Sequence, residues 1–184
     1  MIWKKILWIN IIVHLLAHYT TIPFGSFALW PNSEFERPYQ YITHMFLHAD
    51  FLHILFNMLI FASFAPIVEK KYGQSKFLLL YLLSGIGAAL LHIYITGDQI
   101  PMIGASGAIF GVVILATLID PKMKVFLFGL LPISIMYITS ILLILELYQG
   151  ILSTNDGVAH FAHIGGALTA FILFLFNKYY YEKG

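Results

Sequence analysis

The chain alternates between long apolar runs and short segments that carry most of its charged residues, prolines and glycines. A helix that crosses the hydrocarbon core of a bilayer needs about 20 predominantly apolar residues, and charged or helix-breaking residues mark where such a run stops. The pattern predicts six membrane-spanning helices, over residues 4–22, 51–68, 77–95, 105–119, 124–145 and 158–177. The fourth is short, and it fits if its first turn begins below the membrane surface, surrounded by other parts of the protein.

The cationic residues predict how these helices are oriented, because Lys and Arg beside membrane spans stay mostly on the inner side. With the amino terminus inside, only Arg37 lies outside. The inner side receives Lys4, Lys5, Lys70, Lys71, Lys76, Lys122, Lys124, Lys178 and Lys183. Both termini are therefore predicted to be cytoplasmic. The first outer loop is long and rich in aromatic residues, as expected of a segment lying in the membrane interface.

The composition supports a membrane protein, since 60% of the 184 residues are hydrophobic and only 10% are charged. Ordinary globular domains are about half apolar and about a quarter charged. The net charge of +1 gives no indication of a nucleic-acid partner. The absence of cysteine excludes disulfides, thiolate catalysis and Cys-ligated metals.

The amino-terminal apolar run follows Lys4 and Lys5, and no small-residue cleavage site is evident behind it. We interpret this run as a retained helix, with a cleaved signal peptide as the alternative. No internal repeat or linker interrupts the chain, so a single domain over residues 1–184 is predicted.

A serine lies among small residues in the segment GASGAIFG, at the outer end of the predicted fourth helix. One interpretation is purely structural, because Gly107 and Gly111 form a GxxxG pair of the kind that lets helices pack closely. The other is that Ser106 is a nucleophile, which requires a base within hydrogen-bond reach. The predicted sixth helix offers His160 and His163 at a similar depth, and neutral imidazole can accept the proton.

His163 is the better-placed base, because it lies one turn deeper than His160 and is followed by the small residues Gly165, Gly166 and Ala167. These would let the sixth helix press against the glycine face of the fourth. We therefore predict that the Ser106 hydroxyl meets the His163 imidazole.

The start of the predicted second helix carries a further polar group, in the segment HMFLHADFLHILFNM. His53 and Asn57 are four residues apart and share a helical face, and His48 lies five residues before His53. Donors of this kind can stabilise the oxyanion of an acyl transfer, although Asn57 could instead hydrogen-bond a neighbouring helix. Asp50 is predicted to cap this helix.

Taken together, these elements resemble those of the rhomboid intramembrane serine proteases. The GxSG element is present as Gly104, Ala105, Ser106 and Gly107. The H-x4-H-x3-N element is present as His48, His53 and Asn57, and the AHxxG element as Ala162, His163 and Gly166. The similarity extends from about residue 39 to the end of the predicted sixth helix.

The resemblance implies an all-α membrane protein, a six-helix rhomboid-like bundle that cleaves membrane-spanning helices of other proteins near their outer ends. Ser106 and His163 would form a catalytic dyad without a third acid, in a water-filled cavity open to the outer face. His48, Asn57 and the backbone N–H of Ser106 would polarise the scissile carbonyl, and His53 would organise the first loop.

Two positions depart from the family's usual pattern. Phe110 stands where members often carry Tyr, so it would stack on the catalytic imidazole without offering a hydroxyl. Tyr39 and Gln40 stand where members often carry Trp-Arg, so the first loop would be anchored differently. The inner segment VEKKYG also looks like that of the family, and Glu69 within it is interpreted as structural.

Two other functions remain open. A catalytically silent rhomboid-like chaperone or trafficking factor is disfavoured because Ser106 and His163 are both present. A metal or haem protein is suggested by eight histidines, including the i, i+4 pairs His14/His18 and His44/His48, and is disfavoured because no acidic ligand is expected nearby.

The remaining expectations concern two further residues, the partners and the location. We interpret Glu146 as reaching toward the outer interface and Pro132 as a kink in the fifth helix. Neither a cofactor nor a metal is expected. The expected partners are the lipid bilayer and transmembrane protein substrates, without nucleic acid, and the expected location is a bacterial cytoplasmic membrane.

Overall fold

The chain folds into a helical bundle in a computed structural model that describes residues 1–21, 23–97, 99–127, 130–152 and 157–181. The α-helices are α1 Ile2–Tyr19, α2 Gln40–Thr43, α3 Phe51–Tyr72, α4 Gln74–Thr96, α5 Ser106–Ile119, α6 Ile135–Leu152 and α7 His160–Tyr181. Short 3-10 helices lie at Phe24–Phe27 and His44–Phe46. Strands β1 (Lys124–Leu127) and β2 (Leu131–Ser134) form an antiparallel hairpin. Lys183 and the predicted end of the first helix at residue 22 lie outside the described residues.

Within the described part of the chain, four helices are long and apolar enough to cross a membrane, judged by length and composition: α3, α4, α6 and α7 within residues 160–179. Helix α5 is apolar but shorter, with 14 residues. The chain is thus a helical membrane protein. A count of six spans and the cytoplasmic position of both termini remain predictions.

The predicted fifth helix is wrong in its first part. Lys124–Leu127 and Leu131–Ser134 pair as antiparallel strands, and α6 begins only at Ile135 and ends at Leu152. Pro132 therefore lies in β2 and kinks no helix. Because proline lacks a backbone N–H and clashes with the preceding helical turn, it favours an edge strand over a helix interior. The other predicted spans agree with the observed helices to within about one helical turn.

The centre of the bundle is α7, which packs most extensively against α4 and α5. Small residues make this close approach possible. A methyl group added at Gly165 would lie 2.8 Å from the backbone oxygen of Gly87, and one added at Gly166 would collide with the backbone oxygen of Gly107. A methyl group at Gly111 would lie 3.2 Å from the oxygen of Gly166. The predicted packing of the sixth helix on the Gly107 and Gly111 face is confirmed.

Helix α1 is tied to α3 by a buried carboxylate. Glu69 accepts hydrogen bonds from the backbone N–H groups of Ile2, at 3.2 Å, and Trp3, at 2.7 Å. N–H groups in the first turn of a helix have no partner inside the helix, so the carboxylate satisfies them and complements the helix dipole. This contact supports the structural role expected of Glu69.

Gln40 anchors the first loop from a buried position. Its amide nitrogen donates to the backbone oxygens of Ser26, at 3.0 Å, and Phe35, at 3.1 Å. Its amide oxygen accepts from the backbone N–H groups of Arg37, at 3.0 Å, and Trp30, at 3.4 Å. One neutral side chain thus ties four backbone groups of the loop together.

The first loop also contacts the segment that leads into α5. Leu29 and Met102 exchange two backbone hydrogen bonds, of 3.1 and 2.8 Å. Both side chains are buried. The position of the first loop is therefore coupled to the backbone just before Ser106.

Candidate active site

Ser106 is the first residue of α5, and His163 lies in the first turn of α7. The Ser106 Oγ and His163 Nε2 atoms are 2.8 Å apart, within hydrogen-bond distance. His163 is buried, with 8% of its surface exposed. The predicted contact between the two side chains is present, and it follows from the close packing of α5 and α7 through Gly107 and Gly166.

Phe110 fixes the plane of the His163 ring. The two rings are stacked, with their centroids 4.4 Å apart and 8° between their planes. Phe110 lies one helical turn after Ser106, so the same helix supplies the hydroxyl and the stacking surface. The stacking expected at this position is confirmed.

The backbone before Ser106 adopts a conformation that requires glycine. Gly104 has a φ of 124°, a region that residues with a side chain rarely adopt. Its N–H donates to the backbone oxygen of His44 at 2.9 Å. A Cβ atom at this position would lie 3.0 Å from His53 Nε2. Gly104 therefore lets the turn into α5 lie directly against the His53 ring.

A cavity of about 1360 Å³ brings the polar residues together. Its lining includes Ser106 and His163, together with His53 and Asn57 from α3. Asn57 donates one amide hydrogen to the backbone oxygen of His53, at 2.8 Å. Asp50 caps α3 by accepting from the His53 N–H at 2.9 Å, as predicted. Three helices, α3, α5 and α7, thus present polar groups to one space.

His48 packs edge-on against His53, with the two ring centroids 4.9 Å apart. Among the described residues His53 lines the cavity, and His48 does not. Burial, and then the nearby His53 and His14, lowers the pKa of His48 to about 3, so the ring is neutral near pH 7. The expectation that His48 faces the scissile carbonyl while His53 organises the first loop does not fit this placement. The reason is that α3 begins at Phe51, so the helical face shared by His53 and Asn57 does not extend back to residue 48.

Glu146 lies beside the two histidines of α7, which corrects its interpretation as an interfacial residue. Its Oε2 atom is 2.7 Å from His160 Nδ1 and 2.8 Å from His163 Nδ1, and 14% of its side chain is exposed. The His160 contact is an aligned hydrogen bond, whereas the His163 contact has the distance without the alignment. An acid is therefore present beside the Ser106–His163 pair, where none was expected.

These same three residues form the one group, within the described part of the chain, whose atoms could hold a metal ion. Their ligand atoms lie within 4.8 Å of one another, and two His with one Glu is a set that zinc accepts. The argument against a metal site, that no acidic ligand lies near the histidines, is therefore wrong. The N···O distances of 2.7 and 2.8 Å are nevertheless those of hydrogen-bonded partners, shorter than the roughly 3.3 Å between ligands around tetrahedral zinc.

Glu146 was not selected from the sequence as a site residue, whereas Gln40 was noted as a departure that would change how the first loop is anchored. Glu146 is an isolated acid in an apolar run, and acids in membrane segments are costly enough to indicate a function.

Comparison with known proteins identifies the family. The family profile described as the Rhomboid domain matches residues 36–179. The chain is 30% identical to Rhomboid-like protein 11, chloroplastic, of Arabidopsis thaliana over 184 residues, covering 95% of this chain and 65% of that protein. It is 38% identical to the putative rhomboid protease YdcA of Bacillus subtilis over 103 residues, covering 50% of each chain. It is 31% identical to the rhomboid protease GluP of B. subtilis over 133 residues, covering 71% of this chain and 24% of that protein.

The chain therefore spans between about a quarter and two thirds of the length of these relatives. The relatives with similar sequences include proteins named as chloroplastic and as mitochondrial, as well as bacterial proteins. The expected bacterial cytoplasmic membrane is consequently not supported by the relatives. The matched residues include every polar side chain of the cavity described above, and the chain is an integral membrane protein that belongs to the rhomboid family, which includes named serine proteases.

Proposed function

We propose that this protein is an intramembrane serine endopeptidase that cleaves membrane-spanning helices of other proteins near one end. The observation that carries the proposal is the 2.8 Å contact between Ser106 Oγ and His163 Nε2 at a cavity within a membrane-spanning bundle. A hydroxyl in hydrogen-bond contact with an oriented imidazole is the arrangement that activates serine as a nucleophile.

The reaction follows from this pair. Ser106 transfers its hydroxyl proton to His163 Nε2 as Oγ bonds to the scissile carbonyl carbon. The imidazolium then gives that proton to the leaving amine, and the carbon–nitrogen bond breaks. In the second half, a water molecule loses a proton to His163 and attacks the acyl-enzyme, and the proton returns to Ser106 as the acid product leaves.

The negative charge on the carbonyl oxygen needs hydrogen-bond donors, and three candidates surround the start of α5. The backbone N–H of Ser106 belongs to the first helical turn, where N–H groups have no partner within the helix. His53 supports the turn at Gly104, and the second amide hydrogen of Asn57 is not used by its bond to the His53 oxygen. We assign carbonyl polarisation to these three groups, with His53 taking the role first expected of His48.

Access from the side of the bundle is supported by the helices around the cavity. Phe56 and Ile60 of α3 and Leu142 of α6 contribute to its lining, and each side chain is also substantially exposed. Among the described residues α6 packs mainly on α7, with little contact to α3. A substrate helix arriving between α3 and α6 must unwind, since a helical peptide bond has its carbonyl engaged in the backbone ladder.

Cleavage of a model transmembrane substrate in liposomes tests the proposal. The wild-type protein is expected to cut, whereas Ser106→Ala and His163→Ala should fold normally and lose at least about a thousandfold in rate, because each removes a member of one reacting pair. Labelling with a fluorophosphonate probe checks nucleophilicity independently of substrate choice. Label on wild type that is lost in Ser106→Ala is the expected result.

Two outcomes would contradict the proposal. Cutting by Ser106→Ala at the wild-type rate would remove that hydroxyl from the mechanism. Failure of folded wild-type protein both to cut and to label would favour a catalytically silent rhomboid-like protein.

A further inference from the structure

We infer that Glu146 is a positioning residue for His163, which makes the reacting pair a Ser106–His163–Glu146 chain in place of a dyad. The inference rests on the proposed function, because it concerns the same imidazole. It goes beyond that proposal by giving a third residue, on a different helix, a specific task in the chemistry.

The first support is that the two nitrogens of the His163 ring face different partners. Nε2 lies 2.8 Å from Ser106 Oγ, and Nδ1, on the other side of the ring, lies 2.8 Å from Glu146 Oε2. The Phe110 ring holds the imidazole plane between these two contacts. A hydroxyl, an imidazole and a carboxylate therefore follow one another in the order that a serine hydrolase triad requires.

The second support is that Glu146 is itself held in place. His160 Nδ1 forms an aligned hydrogen bond of 2.7 Å with the same Oε2 atom that contacts His163. His160 is 6% exposed, so this bond is made largely away from solvent. A carboxylate within an apolar bundle is costly unless such donors satisfy it. His160 thus keeps an otherwise unfavourable acid beside the His163 ring.

The third support is the chemistry of the imidazole. A neutral histidine carries its proton on one nitrogen only, and a general base acting through Nε2 must carry that proton on Nδ1. A carboxylate beside Nδ1 accepts from the Nδ1–H and so selects this tautomer. It also stabilises the imidazolium that forms when Ser106 gives up its proton.

The imperfect alignment at His163 Nδ1 fits a resting state. Oε2 is engaged by His160, and hydrogen bonds in free active sites are often poorly aligned until substrate is bound.

The test compares Glu146→Leu, which removes the acceptor, with Glu146→Gln, which keeps an acceptor and removes the charge. With a model transmembrane substrate in liposomes, we expect kcat to fall about a hundredfold or more for Glu146→Leu, with KM changed less than about twofold. Glu146→Gln should lie between Glu146→Leu and wild type, because it still accepts from Nδ1–H. The rate of fluorophosphonate labelling should fall in the same order.

A spectroscopic readout separates positioning from general structural support. In protein labelled with 15N at histidine, the His163 ring signals are assigned by their loss in His163→Asn. Wild type should show the Nδ1–H tautomer, and Glu146→Leu should shift the population toward the Nε2–H tautomer. This measurement depends on neither turnover nor substrate, and it is also possible in the Ser106→Ala background.

Glu69→Gln is the matched control. It alters another buried carboxylate of the bundle, one that caps α1 and lies outside the cavity lining. It should lower thermal stability, while kcat and the His163 tautomer stay at their wild-type values.

The outcomes distinguish the two proposals. An active wild-type enzyme whose kcat and His163 tautomer are unchanged in both Glu146 variants would overturn the role of Glu146 and leave the Ser106–His163 pair intact. A wild-type protein that neither cuts nor labels would contradict the protease proposal itself. A loss of kcat without a tautomer change in Glu146→Leu would also overturn the positioning role, because it would indicate structural support alone.

Discussion

His48 and His53 are five residues apart in the chain and their rings are in contact, with centroids 4.9 Å apart, yet within the described residues only His53 lines the cavity. His53 lines the cavity and contacts the turn at Gly104, whereas His48 is 4% exposed and does not line the cavity in the described part of the chain. The difference arises because α3 begins between them, at Phe51. Two histidines of one motif are therefore placed differently relative to the cavity.

The first prediction at the residue scale concerns this pair. Replacing His53 with Ala should lower the cleavage rate about a hundredfold with little change in folding, because it removes a donor near the carbonyl oxygen. Replacing His48 with Ala should mainly lower stability, by about 2 to 5 kcal/mol, because it leaves a cavity in the packed interior. Turnover per folded molecule and thermal unfolding in detergent measure the two effects. The opposite assignment would require slow turnover in the His48 variant and near-normal turnover in the His53 variant.

At the same scale, the sequence predicted that the side chains of Ser106, His163 and Phe110 would lie together, but it did not place Glu146 beside them. The first three lie in motifs with fixed spacing, so helical periodicity places them on facing surfaces. Glu146 reaches its partners across the connection between two helices, 14 and 17 residues away in the chain. No local period links residues across such a connection. An isolated acid in an apolar run could be assigned to a membrane surface or to the interior equally well.

At the scale of secondary-structure elements, the glycines of α5 and α7 determine where the reacting groups meet. The Gly107 backbone and Gly166 approach so closely that no added methyl group fits between them. The contact lies one turn or less from both Ser106 and His163 in the chain. The distance between the two helices thus sets the distance between hydroxyl and imidazole.

Gly166→Ala should therefore reduce both stability and activity. The added methyl group would force α7 away from α5, at a cost of about 1 to 3 kcal/mol, and would move His163 away from Ser106. Thermal unfolding and fluorophosphonate labelling of the folded fraction measure the two consequences. Gly25→Ala is the matched control, since a methyl group there meets nothing within 4 Å. If Gly166→Ala labelled at the wild-type rate, helix spacing would not control the reacting distance.

The hairpin before α6 shows where prediction of elements from hydropathy fails. Residues 124–134 are apolar enough to extend a membrane helix, and hydropathy alone does not distinguish a strand from a helix over such a short run. Pro132 favours a strand over a helix here, because proline is unfavourable in a helix interior but is accepted in an edge strand. Proline is not a sufficient signal by itself, however, because α3 contains Pro66 in its interior.

At the scale of the whole molecule, buried neutral histidines make folding sensitive to acid. Burial lowers the pKa of His44 to about 4 and that of His48 to about 3, from the value of 6.5 expected in an unfolded chain. At pH values between these folded-state pKa values and 6.5, the unfolded chain binds more protons than the folded one. The free energy of unfolding therefore rises with pH over this range, and stability is lost as the pH falls below about 6.5.

Lowering the pH from 7 toward 4 should therefore destabilise the protein, by up to about 1.4 kcal/mol per pH unit for each of the two histidines. Unfolding temperatures in detergent at several pH values measure the slope. A His48→Asn variant should show a shallower slope over the same range, because one of the two groups no longer titrates. Equal slopes in the variant and wild type would show that another group is responsible.

The shortness of α5 bears on which bond of a substrate is reached. Its 14 residues span about 21 Å, against about 30 Å for the hydrocarbon core of a bilayer. A helix of this length that lies along the membrane normal, with its carboxyl end at one boundary of that core, would place Ser106 about 9 Å beneath the other boundary. A peptide that descends from that boundary covers the distance in about six residues as a helix but in about three when extended. In the proposed protease, the length of α5 and the conformation of the substrate would then together determine which peptide bond reaches the serine.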